Sequence, residues 1–127
     1  MRAKILIVDD SSLSRRTLRR ILETADYEVV EADDGMAALE VYFLEKPHLV
    51  LLDLVMKGMY GLDVLLKLRE MDPNALVVVA SADIQSSTRK LVDEAGALGF
   101  ITKPFITEPV LEAVEAALAK GAPSETN

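Results

Sequence analysis

Residues 5–10 read ILIVDD, four consecutive aliphatic side chains followed by two carboxylates. A short unbroken run of Ile, Leu and Val is typical of a strand that is buried on both faces of a parallel sheet. The same arrangement recurs at residues 49–53, where LVLL precedes Asp53, and at residues 100–103, where FIT precedes Lys103. In parallel sheets, ligands bind at the carboxyl ends of the strands, near a switch in strand order. These segments therefore predict one site that holds three carboxylates and one ammonium group.

The 127-residue chain has the size and composition of one globular domain, since half of its residues are hydrophobic. It contains no cysteine, which excludes disulfides and thiolate metal sites. A net charge of −7 argues against direct binding to nucleic acid or to anionic lipid. No run has the apolar length of a signal-peptide core or the ~20 residues of a membrane span. We therefore expect a cytoplasmic domain without membrane insertion.

Strand and helix patterns alternate five times along the chain, which predicts right-handed βαβ units around a parallel sheet. For the first helix, Ser11 or Ser12 is the expected N-cap and Thr24 lies near the end. Gly96 suits the position just past the fourth helix. We expect one domain over residues 1–120 and a flexible tail over residues 121–127. The predicted strands are 4–8, 28–32, 49–52, 75–80 and 99–102.

Two predicted helices have apolar residues at the spacing of a buried face. In the first helix these residues are Leu13, Leu18, Ile21 and Leu22, and in the fourth they are Leu91, Val92 and Ala95. The opposite face of the first helix carries the arginines Arg15, Arg16 and Arg19. A run of positive charge on one helix face indicates either a solvated surface or a docking site for another protein.

Five motifs stand in order after the predicted strands. They are Asp9-Asp10, Asp53, the loop MKGMYG at 56–61, Ser81-Ala82, and GALGF at 96–100 leading to Lys103-Pro104-Phe105. With these motifs the chain resembles, over residues 1 to about 120, the receiver domain of two-component response regulators. The resemblance implies a flavodoxin-like, doubly wound (βα)5 fold with a five-stranded parallel sheet in the order 2-1-3-4-5. It also implies a phosphorylation-activated signalling switch that is not an enzyme, except in catalysing its own phosphorylation and dephosphorylation.

The resemblance assigns a role to each polar residue of the predicted site. Asp53 would accept a phosphoryl group from a phosphohistidine, which is a known covalent role for a carboxylate. Lys103 and the Ser81 hydroxyl would hold the phosphoryl oxygens, as cationic and polar groups do in phosphoryl transfer generally. The resemblance also implies a cis bond between Lys103 and Pro104, which would direct the lysine into the site.

Mg²⁺ is the implied cofactor, because it prefers carboxylate and phosphate oxygens as ligands. Asp10 and Asp53 are the expected direct ligands, Asp9 would act through a water, and the main-chain carbonyl of Val55 follows from the resemblance. Three carboxylates and one lysine sum to a formal charge of −2, which one Mg²⁺ cancels. The expected site is therefore electrically balanced only with the metal.

The resemblance further implies a switch and a set of partners. Ser81 would move towards the phosphoryl group and Phe100, which stands where a tyrosine is frequent, would turn inward. The phosphoryl donor would be a histidine kinase or a histidine phosphotransfer protein, for which Arg15, Arg16 and Arg19 are candidate docking residues. The downstream target is an unknown protein, and the sequence leaves open whether the domain is free-standing or part of a longer regulator.

One enzyme class remains as an alternative interpretation. Mg²⁺-dependent phosphohydrolases of the haloacid dehalogenase type also use an aspartate at a strand end as the nucleophile. These enzymes have a second aspartate two residues later, as general acid and base, whereas this chain has Val55 there. Valine cannot transfer a proton, so the sequence favours the receiver.

Overall fold

A computed structural model describes residues 2–82 and 85–121. Five strands and five helices alternate within these residues, and the strands form one parallel sheet in the order β2-β1-β3-β4-β5. The predicted fold class is confirmed. The elements are β1 (Lys4–Val8), α1 (Ser12–Thr24), β2 (Glu28–Ala32), α2 (Gly35–Glu45), β3 (Leu49–Leu52), α3 (Gly61–Met71), β4 (Val77–Ser81), α4 (Ser86–Glu94), β5 (Phe100–Thr102) and α5 (Thr107–Gly121).

The sheet has a hydrophobic core on each face. Ile5 and Ile7 of β1 belong to the core that is covered by α1 and α5. Leu6 and Val8 belong to the core on the other side, which is covered by α2, α3 and α4. Because both faces are covered, every residue of β3 and β4 is buried, and this double burial explains the unbroken aliphatic runs in the sequence.

Local sequence sets the helix ends, and the predictions for the start of α1 and the end of α4 are confirmed. The Ser11 hydroxyl caps α1 by accepting a hydrogen bond from the Ser14 N–H at 3.2 Å. Asp34 caps α2 in the same way, accepting from the Ala37 N–H at 2.7 Å. Gly96 follows α4 with φ +107°, a conformation that suits glycine.

Four predicted boundaries differ from the structure. Strand β4 begins at Val77, because the N–H of Ala75 is used in a turn, donating to the Asp72 carbonyl at 2.9 Å. It extends to Ser81, and β5 begins at Phe100, one residue later than predicted. Helix α5 includes Gly121, the first residue of the predicted tail. The rest of that tail, residues 122–127, lies outside the described residues.

Two leucines predicted to be buried are exposed. Leu13 is 68% exposed, because at 100° per residue it lies about 130° from the centre of the buried α1 face. That face consists of Leu18, Ile21 and Leu22. Leu91 is 52% exposed, since it lies one residue from the buried Val92 and so about 100° around α4 from it.

The arginine face of α1 is not a uniformly solvated surface. Arg15 Nε lies 2.7 Å from Glu31 Oε1, and Arg19 Nε lies 2.6 Å from Glu31 Oε2. Glu31 is in β2, so this triad joins α1 to the edge strand of the sheet. Arg16, in contrast, is exposed. Two of the three arginines predicted to dock a partner are therefore engaged within the domain.

We expect Glu31→Gln to lower the free energy of unfolding by about 1.5–3 kcal/mol at neutral pH, because hydrogen bonds to charged groups contribute this much. Burial raises the pKa of Glu31, but the hydrogen bonds from Arg19 and Arg15 outweigh it, and the net pKa is lower than the usual 4.5. The contribution is therefore present above the unfolded pKa and is lost as the pH falls through the folded value.

Urea unfolding of both proteins between neutral and acidic pH measures this difference. Glu40→Gln, at an exposed position of α2, is the control that should leave stability unchanged. A Glu31 variant whose deficit does not shrink in acid would contradict the assigned ion pairs.

Within residues 2–82 and 85–121, no helix combines the length and the apolar character needed to cross a membrane.

Candidate functional site

The carboxyl ends of β1, β3, β4 and β5 bring four polar side chains together. Main-chain hydrogen bonds hold two of these ends in register. The Asp53 N–H donates to the Val8 carbonyl at 2.9 Å, and the Lys103 N–H donates to the Ser81 carbonyl at 2.9 Å. Each functional residue is thus the first residue beyond its strand or the last within it, and the sheet fixes their relative positions.

Asp53 is the centre of the site and is only 4% exposed. Its Oδ1 accepts hydrogen bonds from the Ser81 hydroxyl at 2.5 Å and from the Val55 N–H at 3.1 Å. Its Oδ2 lies 3.2 Å from Lys103 Nζ. The two carboxylate oxygens therefore have different partners, one neutral and one cationic.

Asp9 is the second buried carboxylate, 2% exposed. Its Oδ1 accepts from the Ser11 N–H at 2.8 Å and its Oδ2 lies 3.0 Å from Lys103 Nζ. Burial raises the pKa of Asp9, and the hydrogen bonds from Ser11 and Lys103 only partly offset that rise. Lys103 thus joins Asp9 and Asp53 through a single ammonium group.

Lys103 is held in its charged form. Burial lowers the pKa of its ammonium group, but the hydrogen bonds to Asp9 and Asp53 act in the opposite direction and the net pKa is raised. The site therefore contains a permanent positive charge beside the Asp53 carboxylate at physiological pH.

Asp10 completes the acidic group from an exposed position, and its Oδ2 accepts from the Lys57 N–H at 3.2 Å. One carboxylate oxygen from each of Asp9, Asp10 and Asp53 lies within 4.8 Å of the others. Clustered carboxylate oxygens suit a hard cation such as Mg²⁺. Three carboxylates and the Lys103 ammonium leave a formal charge of −2, so both the donor atoms and the charge fit a divalent ion.

The structure also describes the remaining residues that were singled out in the sequence. The Lys103–Pro104 peptide bond is cis. Phe100 is half-buried against the core on the α2–α4 side, and the Arg89 guanidinium lies 4.4 Å from the centroid of its ring. The Ser81 hydroxyl donates to Asp53 Oδ1, and its movement towards a phosphoryl group stays a prediction.

Sequence reasoning missed several contacts that orient the carboxylates. The Ser11 N–H on Asp9 Oδ1 is an Asx turn, which an aspartate directly after a predicted strand could have indicated. The Asp9 carbonyl accepts from Arg15 Nη1 at 2.7 Å. The sequence signal for this contact is weak: Glu31 follows two valines in β2, and a partly buried carboxylate needs a cationic or hydrogen-bonding partner.

The site belongs to a parallel α/β domain with two buried carboxylates, one exposed carboxylate and a lysine at the strand ends. Comparison with known proteins identifies its family. The response regulator receiver domain model matches residues 5–115. Chemotaxis protein CheY of Listeria monocytogenes is 41% identical over 115 residues, 90% of this chain and 97% of that protein. Sporulation initiation phosphotransferase F of Bacillus subtilis is 34% identical over 115 residues, 91% of this chain and 93% of that protein.

Comparison with solved structures also finds receiver domains. A CheY-like response regulator receiver domain protein from Methanospirillum hungatei superposes with a TM-score of 0.90 at 26% identity, over 95% of this chain and 97% of that one. The chain belongs to the response regulator receiver domain family, the phosphorylation-activated switches of two-component systems. The family recognised from the sequence motifs is confirmed, and the phosphohydrolase alternative is not favoured.

Proposed function

We propose that Asp53 is the phosphoryl acceptor of this receiver domain. The observation that carries the proposal is the buried Asp53 carboxylate with Ser81 Oγ at 2.5 Å and Lys103 Nζ at 3.2 Å. A carboxylate oxygen of Asp53 attacks the phosphorus of a phosphohistidine. The P–N bond breaks, the imidazole leaves with its electron pair, and an acyl phosphate forms on Asp53.

Lys103 and Ser81 are the residues that act on the transferred group. The ammonium of Lys103 offsets the negative charge that accumulates when a phosphoryl group meets a carboxylate. The Ser81 hydroxyl, which donates to Asp53, is free to rotate and donate to a phosphoryl oxygen instead. Both donors lie within hydrogen-bond distance of Asp53 before transfer, so each needs only to exchange one acceptor for another.

Stoichiometry tests this function. The protein is incubated with a small acyl phosphate and MgCl₂, and intact mass and released phosphate are followed together. We expect one phosphoryl group per chain. Once the protein is phosphorylated, the acyl phosphate should be consumed only as fast as the phosphorylated protein loses its phosphoryl group. Rapid, continuing release of phosphate without a phosphorylated species would instead indicate a phosphohydrolase.

The acidic group is the proposed Mg²⁺ site. Asp10 and Asp53 would bind the ion directly, Asp9 through a water, and the main-chain carbonyl of Val55 would be a further ligand. Bound Mg²⁺ would supply the positive charge that lets an anionic phosphoryl group approach three carboxylates. Support comes from the donor set itself, whose carboxylate oxygens lie within 4.8 Å of one another.

Millimolar Mg²⁺ is expected to raise the melting temperature, since a ligand at ten times its Kd stabilises the native state by about 1.4 kcal/mol. For a domain of this size that corresponds to about 3–6 °C. Asp10→Asn removes a direct ligand and should abolish the shift. Asp33→Asn, an exposed carboxylate that follows β2, should keep it. All samples are brought to equal ionic strength with KCl; an equal shift with KCl alone would contradict a divalent site.

Signal output is proposed to pass through Ser81 and Phe100. Ser81 and Phe100 lie on neighbouring strands, with Phe100 opposite Val79 and Ser81 opposite Thr102. A change in the acceptor of the Ser81 hydroxyl would alter the end of β4, and Phe100 packs beside it under Arg89 of α4. The surface around α4 and β5 would therefore respond to phosphorylation, to the extent that the two states differ in their phosphoryl contacts.

A histidine kinase or a histidine phosphotransfer protein is the proposed donor. Arg15 and Arg19 are paired with Glu31, so of the three arginines considered for docking, the exposed Arg16 is the one we propose to contact the partner. The cytoplasmic location expected from the sequence stays a prediction.

A further inference from the structure

Arg15 links the Arg15–Glu31–Arg19 triad to the main chain of the acidic site. We infer that Arg15 is a positioning residue that sets the direction of Asp10 and thereby the affinity for a divalent cation. The inference rests on the proposed Mg²⁺ site, and it assigns to Arg15 a role different from docking a partner.

The contacts of Arg15 are short and use separate nitrogens. Nη1 donates to the Asp9 carbonyl at 2.7 Å, and Nε donates to Glu31 Oε1 at 2.7 Å. Arg19 Nε holds the other carboxylate oxygen of Glu31 at 2.6 Å. Because a guanidinium is planar and rigid, two bonds at different nitrogens fix both its position and its plane. Arg15 is therefore a brace between β2 and the end of β1.

The Asp9 carbonyl belongs to the peptide unit that joins Asp9 to Asp10. The six atoms of a peptide unit are coplanar, so a hydrogen bond that fixes this carbonyl also fixes the N–H and the Cα of Asp10. The Asp9 N–H is bonded to the Ala32 carbonyl and its side chain to Ser11 and Lys103. Asp9 is thus anchored without Arg15. Asp10 has two supports, this peptide plane for its main chain and the Lys57 N–H on its Oδ2 at 3.2 Å, and Arg15 acts on the first of them.

The charge of Arg15 would act in the opposite sense. A guanidinium beside the acidic group repels a divalent cation, so on charge alone the loss of Arg15 would strengthen metal binding. Glu31, shared between two guanidinium groups, cancels part of that repulsion. If Arg15 acts by positioning, its loss raises the Kd for Mg²⁺; if it acts by charge, its loss lowers that Kd. Measuring the Kd therefore separates the two effects.

The experiment is a calorimetric titration of MgCl₂ into the wild type, Arg15→Ala, Arg15→Lys and the matched control Arg16→Ala. The chain has no tryptophan, so metal binding is followed by calorimetry and not by tryptophan fluorescence. We expect the Kd for Mg²⁺ to rise about tenfold in Arg15→Ala, the size of effect seen when an outer-shell partner is removed. Arg16→Ala, which removes the same charge from an exposed neighbour, should bind as the wild type does. The ¹⁵N–¹H correlation of the Asp10 amide should shift in Arg15→Ala and not in Arg16→Ala.

Arg15→Lys keeps the charge but lacks the two-nitrogen fork, so its Kd should also rise, and this variant decides the matter if Arg15→Ala does not fold. An Arg15 variant that is folded and binds Mg²⁺ as tightly as the wild type, or more tightly, overturns the inference while the metal site stands. A wild type that binds no Mg²⁺ overturns the metal site and the inference with it.

Discussion

Asp53→Asn is expected to abolish phosphorylation, from one phosphoryl group per chain to none. An amide oxygen lacks the negative charge that makes the carboxylate a nucleophile, while the side chain keeps nearly the same volume in a buried position. Lys103 retains Asp9 as a partner at 3.0 Å, so the fold should survive the substitution. Intact mass after incubation with an acyl phosphate and MgCl₂ is the measurement, with circular dichroism to verify folding.

Two further variants make this test specific. Asp63→Asn changes an exposed carboxylate in the first turn of α3 and should be phosphorylated at the wild-type rate. Asp9→Asn keeps the acceptor but loses one carboxylate of the acidic group, so it should be phosphorylated slowly and still on Asp53. Peptide mapping that places the phosphoryl group on Asp9 or Asp10, or an Asp53→Asn protein that is modified at the wild-type rate, would show the acceptor to be misassigned.

Gly61→Ala is expected to have the largest effect on stability, because Gly61 lies against the main chain that follows Asp53. A Cβ atom at Gly61 would lie 2.6 Å from the Asp53 carbonyl oxygen and would also overlap Leu54 Cα. Backbone atoms cannot rotate away as a side chain would, so either the loop after β3 or the start of α3 must shift. We expect a loss of about 3 kcal/mol, at the upper end for overpacking, and a melting temperature about 10 °C lower.

Other glycines of the chain serve as controls for this variant. At Gly99 a Cβ atom would meet nothing within 4 Å, so Gly99→Ala should be close to neutral. At Gly58 there is also space, but φ is +83°, so Gly58→Ala should lose only the about 1–2 kcal/mol of a left-handed conformation. Thermal unfolding ranks the three variants. A Gly61→Ala protein as stable as Gly99→Ala would show that the close approach is absent.

The same substitution should also affect the chemistry. The Gly61 N–H donates to the Leu54 carbonyl at 3.0 Å, and Leu54 follows Asp53 directly. A shift of this loop moves the Val55 N–H, which is bonded to Asp53 Oδ1. We therefore expect folded Gly61→Ala protein to be phosphorylated more slowly, whereas Gly99→Ala should not differ from the wild type.

The convergence of the site could be predicted from the sequence because it depends on one rule. Parallel strands place their carboxyl ends at the same edge, so Asp9, Asp53 and Lys103 were expected together from their strands alone. Double burial made those strands recognisable as aliphatic runs. Neither the recognition of the strands nor the convergence of their carboxyl ends requires knowledge of contacts between particular atoms.

The predictions that failed depend either on tertiary contacts or on the angle at which a residue projects from its helix. Leu13 is predicted from the sequence to lie on the buried face of α1, whereas the 100° spacing puts it well off that face. The same spacing puts Arg15 at the border of the face, about 65° from its centre, where it can reach β2. The pairing with Glu31 itself depends on how α1 crosses β2. The close approach at Gly61 likewise arises only when α3 is placed beside the end of β3.

The single ammonium of Lys103, shared by Asp9 and Asp53, means that the acidic pocket contains its own built-in counterion. In the proposed reaction this cation is already partly desolvated and oriented, so little reorganisation is required of the protein as charge moves from carboxylate to phosphate. The pocket is to that extent preorganised for the product. A lysine that had to enter from bulk water would lose its hydration and its rotamer freedom at the moment of transfer.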